Sequence, residues 1–256
     1  MRHAKYRRSG RTRIALGTAL LLAGLTACGQ EDAQSVRRAQ YAAAWDEQLS
    51  AESGSVLLAD LTGDGLEEML VVRLYDQEGA ALDPEAEELD RFSYGGIAVY
   101  GVTDGQVTHW DGANVGAAHV GWGHQYLCPE AEGGPALLSF SPYRNQGLAS
   151  YSYTLFRYDE DGNQQILDCD SVHFVFSAAP SLAGDLEQSS RAEVEDFLAR
   201  VEEYRADALP LLVYDTVDHT TEFRYWAGNA LEGDDTAGRA VGAARDLAYP
   251  LPLEED

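Results

Sequence analysis

Lysine is nearly absent from this sequence, and acidic residues outnumber basic ones by more than two to one. Lys5 is the only lysine, and the 256 residues include 43 Asp and Glu against 18 Lys and Arg, a formal net charge of −25 at pH 7. Such a surface repels the phosphates of nucleic acids and of anionic lipids. We therefore expect no nucleic acid partner; the composition suits a soluble domain or one that binds cations.

The common catalytic motifs are missing as well. The sequence contains no Gly-x-Ser-x-Gly nucleophile motif, no His-Glu-x-x-His zinc motif and no phosphate-binding loop. Its paired acids are sequence neighbours, which face different directions and make poor acid–base partners: Glu67/Glu68, Glu87/Glu88 and Glu202/Glu203. We therefore expect a protein that is not an enzyme.

A hydrolase assembled only in the fold remains the alternative. Its catalytic groups would be His119, His124 and carboxylates from loops. The two histidines are five residues apart, so in a regular strand they lie on opposite faces of the sheet. The glycines between them would have to form a bulge before the two side chains could share a metal ion or a substrate.

No segment is long enough to cross a membrane. The apolar run at residues 14–27 is too short, because a spanning helix needs roughly 20 residues. It follows residues 1–13, which carry one Lys and five Arg and no acid, and it ends in Leu25-Thr26-Ala27-Cys28. These zones are typical of a secretory signal peptide, and the ending resembles the lipobox of bacterial lipoproteins.

That resemblance implies cleavage before Cys28 and attachment of fatty acyl chains, such as palmitate, to this cysteine. Two or three chains would hold the protein firmly on the extracytoplasmic face of the cell membrane. Removing residues 1–27 takes six of the 18 basic residues and none of the 43 acids, so the net charge becomes −31. Cys128 and Cys169 would remain, either as a disulfide in an oxidising compartment or as buried thiols.

The fold class predicted from periodicity is mainly β, an antiparallel meander. Helical spacing predicts one helix at about 36–49 and another at about 190–208, where Ser190 and Glu193 form a capping box. We expect a lipidated tether at 28–35, one β-rich domain at 36–227 and a loosely ordered acidic tail at 228–256. The strands are predicted at 55–61, 68–75, 96–102, 106–110, 117–127, 136–140, 148–158, 164–169, 172–176, 211–216 and 221–226.

A short acidic loop between the first two strands carries the clearest motif. Calcium prefers six to eight oxygens, which a tight loop can supply from alternate positions. Here the candidate donors are Asp60, Thr62, Asp64, the Leu66 carbonyl and Glu68. Gly65 allows the sharp turn, and Val71 stands where an EF-hand needs glutamate, so the loop is not an EF-hand.

The loop resembles the Asp-x-Asp-x-Asp-Gly-x-x-Asp/Glu loop of FG-GAP/VCBS-type repeats, which implies a calcium site and a propeller-blade-like arrangement of the strands in the antiparallel meander. Thr62 replaces the middle acid and should weaken affinity. The alternative is a metal-free Asx turn, and we expect the similar stretch at 159–163 to be a plain hairpin turn.

The expected function is therefore a calcium-stabilised binding or structural role at the cell envelope. Its ligand would be an unidentified protein or carbohydrate. The aromatic residues of 94–158 could form a ligand-binding surface, although strand spacing favours cross-strand and core packing.

Overall fold

The computed structural model describes residues 30–49, 54–82, 94–116, 123–129, 131, 133–177, 188–217, 220–232, 239–241 and 249–253. Within these ranges the chain forms two α-helices and twelve strands. Helix α1 spans Gln30–Ala44 and continues as a π-helical turn at Trp45–Leu49, and α2 spans Arg191–Arg205. The strands are β1 Ser55–Ala59, β2 Glu68–Tyr75, β3 Ala81–Leu82, β4 Tyr94–Thr103, β5 Gln106–Gly116, β6 Gly123–Cys128, β7 Ala136–Asn145, β8 Leu148–Tyr158, β9 Gln164–Val175, β10 Leu209–Val217, β11 Thr220–Ala227 and β12 Arg239–Val241.

The strands form two antiparallel sheets. In the first sheet the order is β1-β2-β4-β5, with β3 paired to β2; in the second it is β12-β11-β10-β6-β7-β8-β9. The predicted mainly β, antiparallel meander is therefore confirmed. The path through the first sheet has four antiparallel strands, the number found in a propeller blade. The second sheet has seven strands and is therefore larger than a blade.

Three apolar clusters show that the sheets and helices form four layers. One cluster lies between the two sheets, a second between the first sheet and α1, and a third between the second sheet and α2. Strand β2 contributes to two of them, because Leu70 and Val72 point to the second sheet while Met69 and Val71 point to α1. Its continuous apolar run therefore indicates burial on both faces, as the sequence predicts.

Helix α1 begins earlier than predicted. Residues 30–35, expected to be a tether, form the first part of the helix. The tether prediction is wrong for these residues because Gln34 is tied to the domain: its amide donates to the Glu67 carboxylate, and its carbonyl oxygen accepts from the Glu67 backbone amide at 3.0 Å. Helix α2 has the predicted Ser190 cap and capping box, and it ends at Arg205.

The C-terminal segment is also more ordered than predicted at the residues described. Strand β12 pairs with β11, and the Leu253 amide donates to the Val175 carbonyl at 3.3 Å. The ring of Tyr249 packs against Phe140 and Tyr151. The prediction of a loose tail is wrong here because an aromatic ring and a short strand both find partners on the second sheet.

The geometry of the cysteines excludes the possible disulfide. Cys128 lies on β6, and its thiol donates to the Tyr204 carbonyl of α2 at 3.4 Å. Cys169 is exposed on β9, between Asp168 and Asp170, which both face α2. Cys169 therefore points to the other face, and β6 lies three strand spacings away, roughly 14 Å. A disulfide needs Cα atoms within about 7 Å.

Trp110 of β5 connects the first sheet to the turn at residues 159–163. A Cβ at Gly101 would lie 1.8 Å from the indole, and one at Gly162 would lie 2.4 Å from it. The turn itself is the plain hairpin that the sequence predicts, since the Asp159 carboxylate accepts from the amides of Asp161 and Asn163 at 3.0 and 2.8 Å. The missing side chains at the two glycines let the indole lie against the backbone of both sheets.

Gly162→Ala should destabilise the protein more than Gly105→Ala. Both glycines have a φ of 74°, so both substitutions strain the backbone equally, but nothing lies within 4 Å of a Cβ at Gly105. The clash with Trp110 should add about 1–3 kcal/mol to the loss at Gly162. Urea unfolding of the two variants measures the difference, and equal losses would show that Trp110 does not fill this space.

In a Cys28→Ala background, one thiol per native chain should react with an aromatic disulfide reagent. The reactive thiol is Cys169, because burial raises the pKa of Cys128 to about 12 and leaves almost no thiolate there. Cys169→Ala should abolish native labelling, and denaturation without reductant should reveal both thiols in the parent. A parent chain without free thiols after denaturation would instead indicate a disulfide.

Candidate functional site

The acidic loop at residues 60–68 connects β1 to β2. Gly63 and Gly65 adopt φ values of 77° and 84°, which L side chains rarely tolerate. The Asp60 carboxylate accepts from the amides of Gly63 and Gly65 at 2.7 and 2.8 Å, and the Asp64 carboxylate accepts from the Leu66 amide at 2.8 Å. The loop therefore has the amide-to-carboxylate bonds of Asx-type turns.

Glu68 is the buried carboxylate of this loop. Its side chain has no solvent exposure. One oxygen accepts from the amides of Leu61 and Thr62 at 2.8 and 3.2 Å, and the other accepts from the Arg37 guanidinium at 2.9 Å. Burial raises the pKa of Glu68, whereas the Leu61 hydrogen bond and the positive charge of Arg37 oppose this rise and favour the ionised carboxylate.

Helix α1 presents a row of polar side chains to the loop. The Arg37 guanidinium also lies 4.0 Å from the Asp64 carboxylate. Arg38 donates to both oxygens of Glu67 at 2.9 and 3.0 Å, and the Tyr41 hydroxyl donates to the Glu67 carbonyl at 3.1 Å. The sequence analysis did not predict that Arg37 and Arg38 belong to the site. The signal available in the sequence was the presence of two adjacent arginines in an otherwise acidic protein.

The other side of the loop contacts the second sheet. The Leu61 side chain is buried in the cluster between the sheets, and its carbonyl accepts from the Tyr158 amide at 3.1 Å. Arg157 donates to the Gly133 carbonyl at 2.6 Å, and a Cβ at Gly63 would lie 3.1 Å from this same oxygen. The loop is therefore held between α1 and the second sheet.

The predicted calcium ligands have the right chemistry but lie beside a competing cation. Calcium favours carboxylate and carbonyl oxygens, and Asp60, Thr62, Asp64, Leu66 and Glu68 supply them. Arg37, however, lies between the Asp64 and Glu68 carboxylates, and a metal ion bridging the same pair would be repelled by it. No group of three or more His, Cys, Asp or Glu in the part of the chain described is placed to hold a metal ion. The arrangement does not fit calcium together with Arg37 in this position, and calcium binding stays a prediction.

A second charged cluster lies between the second sheet and α2. His124 Nε2 is 2.9 Å from one oxygen of Asp215, and Arg144 donates to the other oxygen. His124 Nδ1 lies 3.2 Å from the Tyr126 hydroxyl. The sequence reasoning singled out His124 but missed Asp215 and Arg144. Asp215 lies two residues after Val213 within an apolar strand, so the two residues share the buried face of that strand. This acid was the signal available in the sequence.

Tyr249 covers this cluster. Its ring lies 6.4 Å from the ring of His124 and 5.4 Å from the Arg144 guanidinium carbon. The Tyr151 hydroxyl fixes the same segment by donating to the Pro250 carbonyl at 3.2 Å. His124 and Asp215 are completely buried, so among the described residues they form an internal hydrogen-bonded network.

Several of the remaining predicted residues are not described by the structure. Cys28, His119, Glu87 and Glu88 lie outside the described residues, and Glu202 forms an exposed ion pair with Arg205. The aromatic residues of 94–158 mostly fill the core, as the packing interpretation predicts; the fully buried ones include Phe140, Tyr151, Tyr153 and Tyr158.

Within the ranges that the structure describes, no helix is long and apolar enough to cross a membrane. No protein-family model, no curated protein and no solved structure matches the chain. Function is therefore inferred from the residues and their geometry alone.

Asp215→Asn should lower the free energy of unfolding by about 3–5 kcal/mol, because it leaves the Arg144 charge buried without its carboxylate. Asp170→Asn is the matched control: Asp170 and its partner Arg200 are 40% and 42% exposed, so this change should have an effect of about 0–1 kcal/mol. Chemical denaturation measures both. Similar small losses would mean that the buried network adds nothing to stability.

Proposed function

We propose that this protein is a lipid-anchored extracytoplasmic domain that binds a partner or supports the cell envelope without catalysing a reaction. One observation carries the proposal: Gln30, the first residue that the structure describes, is already helical and lies two residues after Cys28 in the sequence. A lipid on Cys28 would therefore hold a folded domain directly at the membrane surface.

The contacts of helix α1 support this placement. Gln34, Arg37 and Arg38 fasten the helix to the acidic loop. Because the helix is fixed to the loop, and the loop contacts both sheets, the first residue of the helix has a fixed position relative to both sheets. The anchor then limits the distance of the domain from the bilayer, in contrast to a protein on a long flexible linker.

The charge of the chain supports attachment by lipid. A net charge of −31 after removal of residues 1–27 repels an anionic bilayer surface, so electrostatic adhesion would not hold the protein there. Two or three acyl chains supply the required affinity through burial of their methylenes. The same charge attracts a basic protein surface and does not repel a neutral ligand such as a carbohydrate.

The burial of the His124–Asp215 pair supports a role without catalysis. A general base must reach the proton that it abstracts, and both His124 and Asp215 are completely buried. The carboxylates of the acidic loop contact α1, whereas His124 lies in the layer next to α2. The hydrolase alternative needs these groups to meet, together with His119, and nothing in the described structure favours it.

Cys28→Ala should release the protein from the membrane. The parent chain, expressed in a bacterium that processes lipoproteins, should incorporate radioactive palmitate and enter the detergent phase of Triton X-114. The Cys28→Ala variant should be unlabelled and remain in the aqueous phase, because its acceptor thiol is missing. Cys169→Ala, which removes an exposed thiol from the folded domain, is the control and should behave as the parent does. Equal partitioning of the parent and Cys28→Ala would refute the anchor.

A further inference from the structure

We infer that Arg37 is the cation of the acidic loop at residues 60–68, in the position where a loop of this motif would otherwise hold a metal ion. This goes beyond the proposed function, which needs only the lipid anchor. The inference follows from the disagreement between the calcium motif in the sequence and the contacts of its carboxylates in the structure.

The first step is the position of the guanidinium. One of its nitrogens donates to Glu68 at 2.9 Å, and the other lies 4.0 Å from Asp64. These two carboxylates occupy positions 9 and 5 of the motif, where the resemblance implies metal ligands. A single planar group thus hydrogen-bonds to one acid and lies at ion-pair distance from the other.

The second step is the need for a positive charge. Glu68 is completely buried and the Arg37 side chain is 14% exposed, and a buried carboxylate is costly unless it is paired and hydrogen-bonded. Asp60 is already satisfied by two backbone amides, and position 3 is the neutral Thr62. One guanidinium charge therefore meets the main remaining requirement, which is that of Glu68.

The third step is what this arrangement does to the fold. A metal ion would join residues of the loop only to one another. Arg37 instead joins the loop to α1, so that closing the loop also docks the helix. Arg38 contacts the neighbouring Glu67, but the Arg38 and Glu67 side chains are 43% and 27% exposed, and water can replace much of that interaction.

The experiment is a comparison of melting temperatures for the full parent chain, Arg37→Gln and Arg38→Gln. Each is measured in chelator and in about 5 mM calcium, a concentration above the Kd of weak extracellular calcium loops, about 1 mM. Arg37→Gln should lower the melting temperature by about 5–10 °C in chelator, and Arg38→Gln by less than about 3 °C. The parent chain should melt at the same temperature in both solutions.

A double variant keeps the test decisive if Arg37→Gln folds poorly. Arg37→Gln/Glu68→Gln removes both charges, so it should melt higher than Arg37→Gln alone. Calcium that raises the melting temperature of Arg37→Gln, but not of the parent, would also support the inference, because the metal would then replace the lost guanidinium.

Two results would overturn it. If the parent melts at a higher temperature in calcium than in chelator, the loop holds a metal ion with Arg37 present. If Arg37→Gln loses no more stability than Arg38→Gln, the guanidinium does not close the loop. Neither result bears on palmitate labelling at Cys28, so failure of the anchor and failure of this inference are distinguishable.

Discussion

The carboxylate of Glu68 is buried at the start of β2, and the arrangement of the surrounding layers depends on how it is satisfied. A buried charge needs a cation and hydrogen-bond donors. Arg37 brings helix α1 to this carboxylate, and the Leu61 amide brings the loop. The side chain of Leu61 fills the core between the sheets, while its carbonyl accepts from Tyr158 of the second sheet. One satisfied carboxylate thus lies where a helix and two sheets meet.

The buried Asp215 shows the same physical solution on the opposite side of the molecule. Arg144 supplies the charge and His124 a further hydrogen bond, from two different strands of the second sheet. Asp76, a third buried acid in the described chain, is instead satisfied by the amides of Glu78 and Ala80 at 3.1 and 2.8 Å. Paired charges and amide-rich turns thus hold these carboxylates inside, next to the apolar clusters between the layers.

The elements that the sequence predicts correctly are those with a local signal. The bounds of β2 follow from its apolar run and those of β8 from its tyrosine-rich pattern, and α2 follows from its capping box. By contrast, β12 has three residues and Tyr249 makes its contacts alone, so neither produces a periodic pattern. Helix α1 was predicted to begin too late because the residues that extend it, such as Gln34, are polar and find their partners 33 positions away. Tertiary contacts of this kind carry no signal in a local window.

In the acidic loop, the shape of the backbone turn and the identity of the cation have different origins, although the motif is associated with both. The glycines and the aspartates determine the backbone turn, because positive φ values and amide-to-carboxylate bonds act within a few residues. That part of the resemblance depends on local chemistry alone and is predictable from the sequence. The identity of the cation depends on which positive group reaches Glu68, and this is decided by a residue 31 positions away. A motif of nine residues cannot encode that partner. The loop can therefore keep the shape of a calcium loop while an arginine on the first helix supplies its charge.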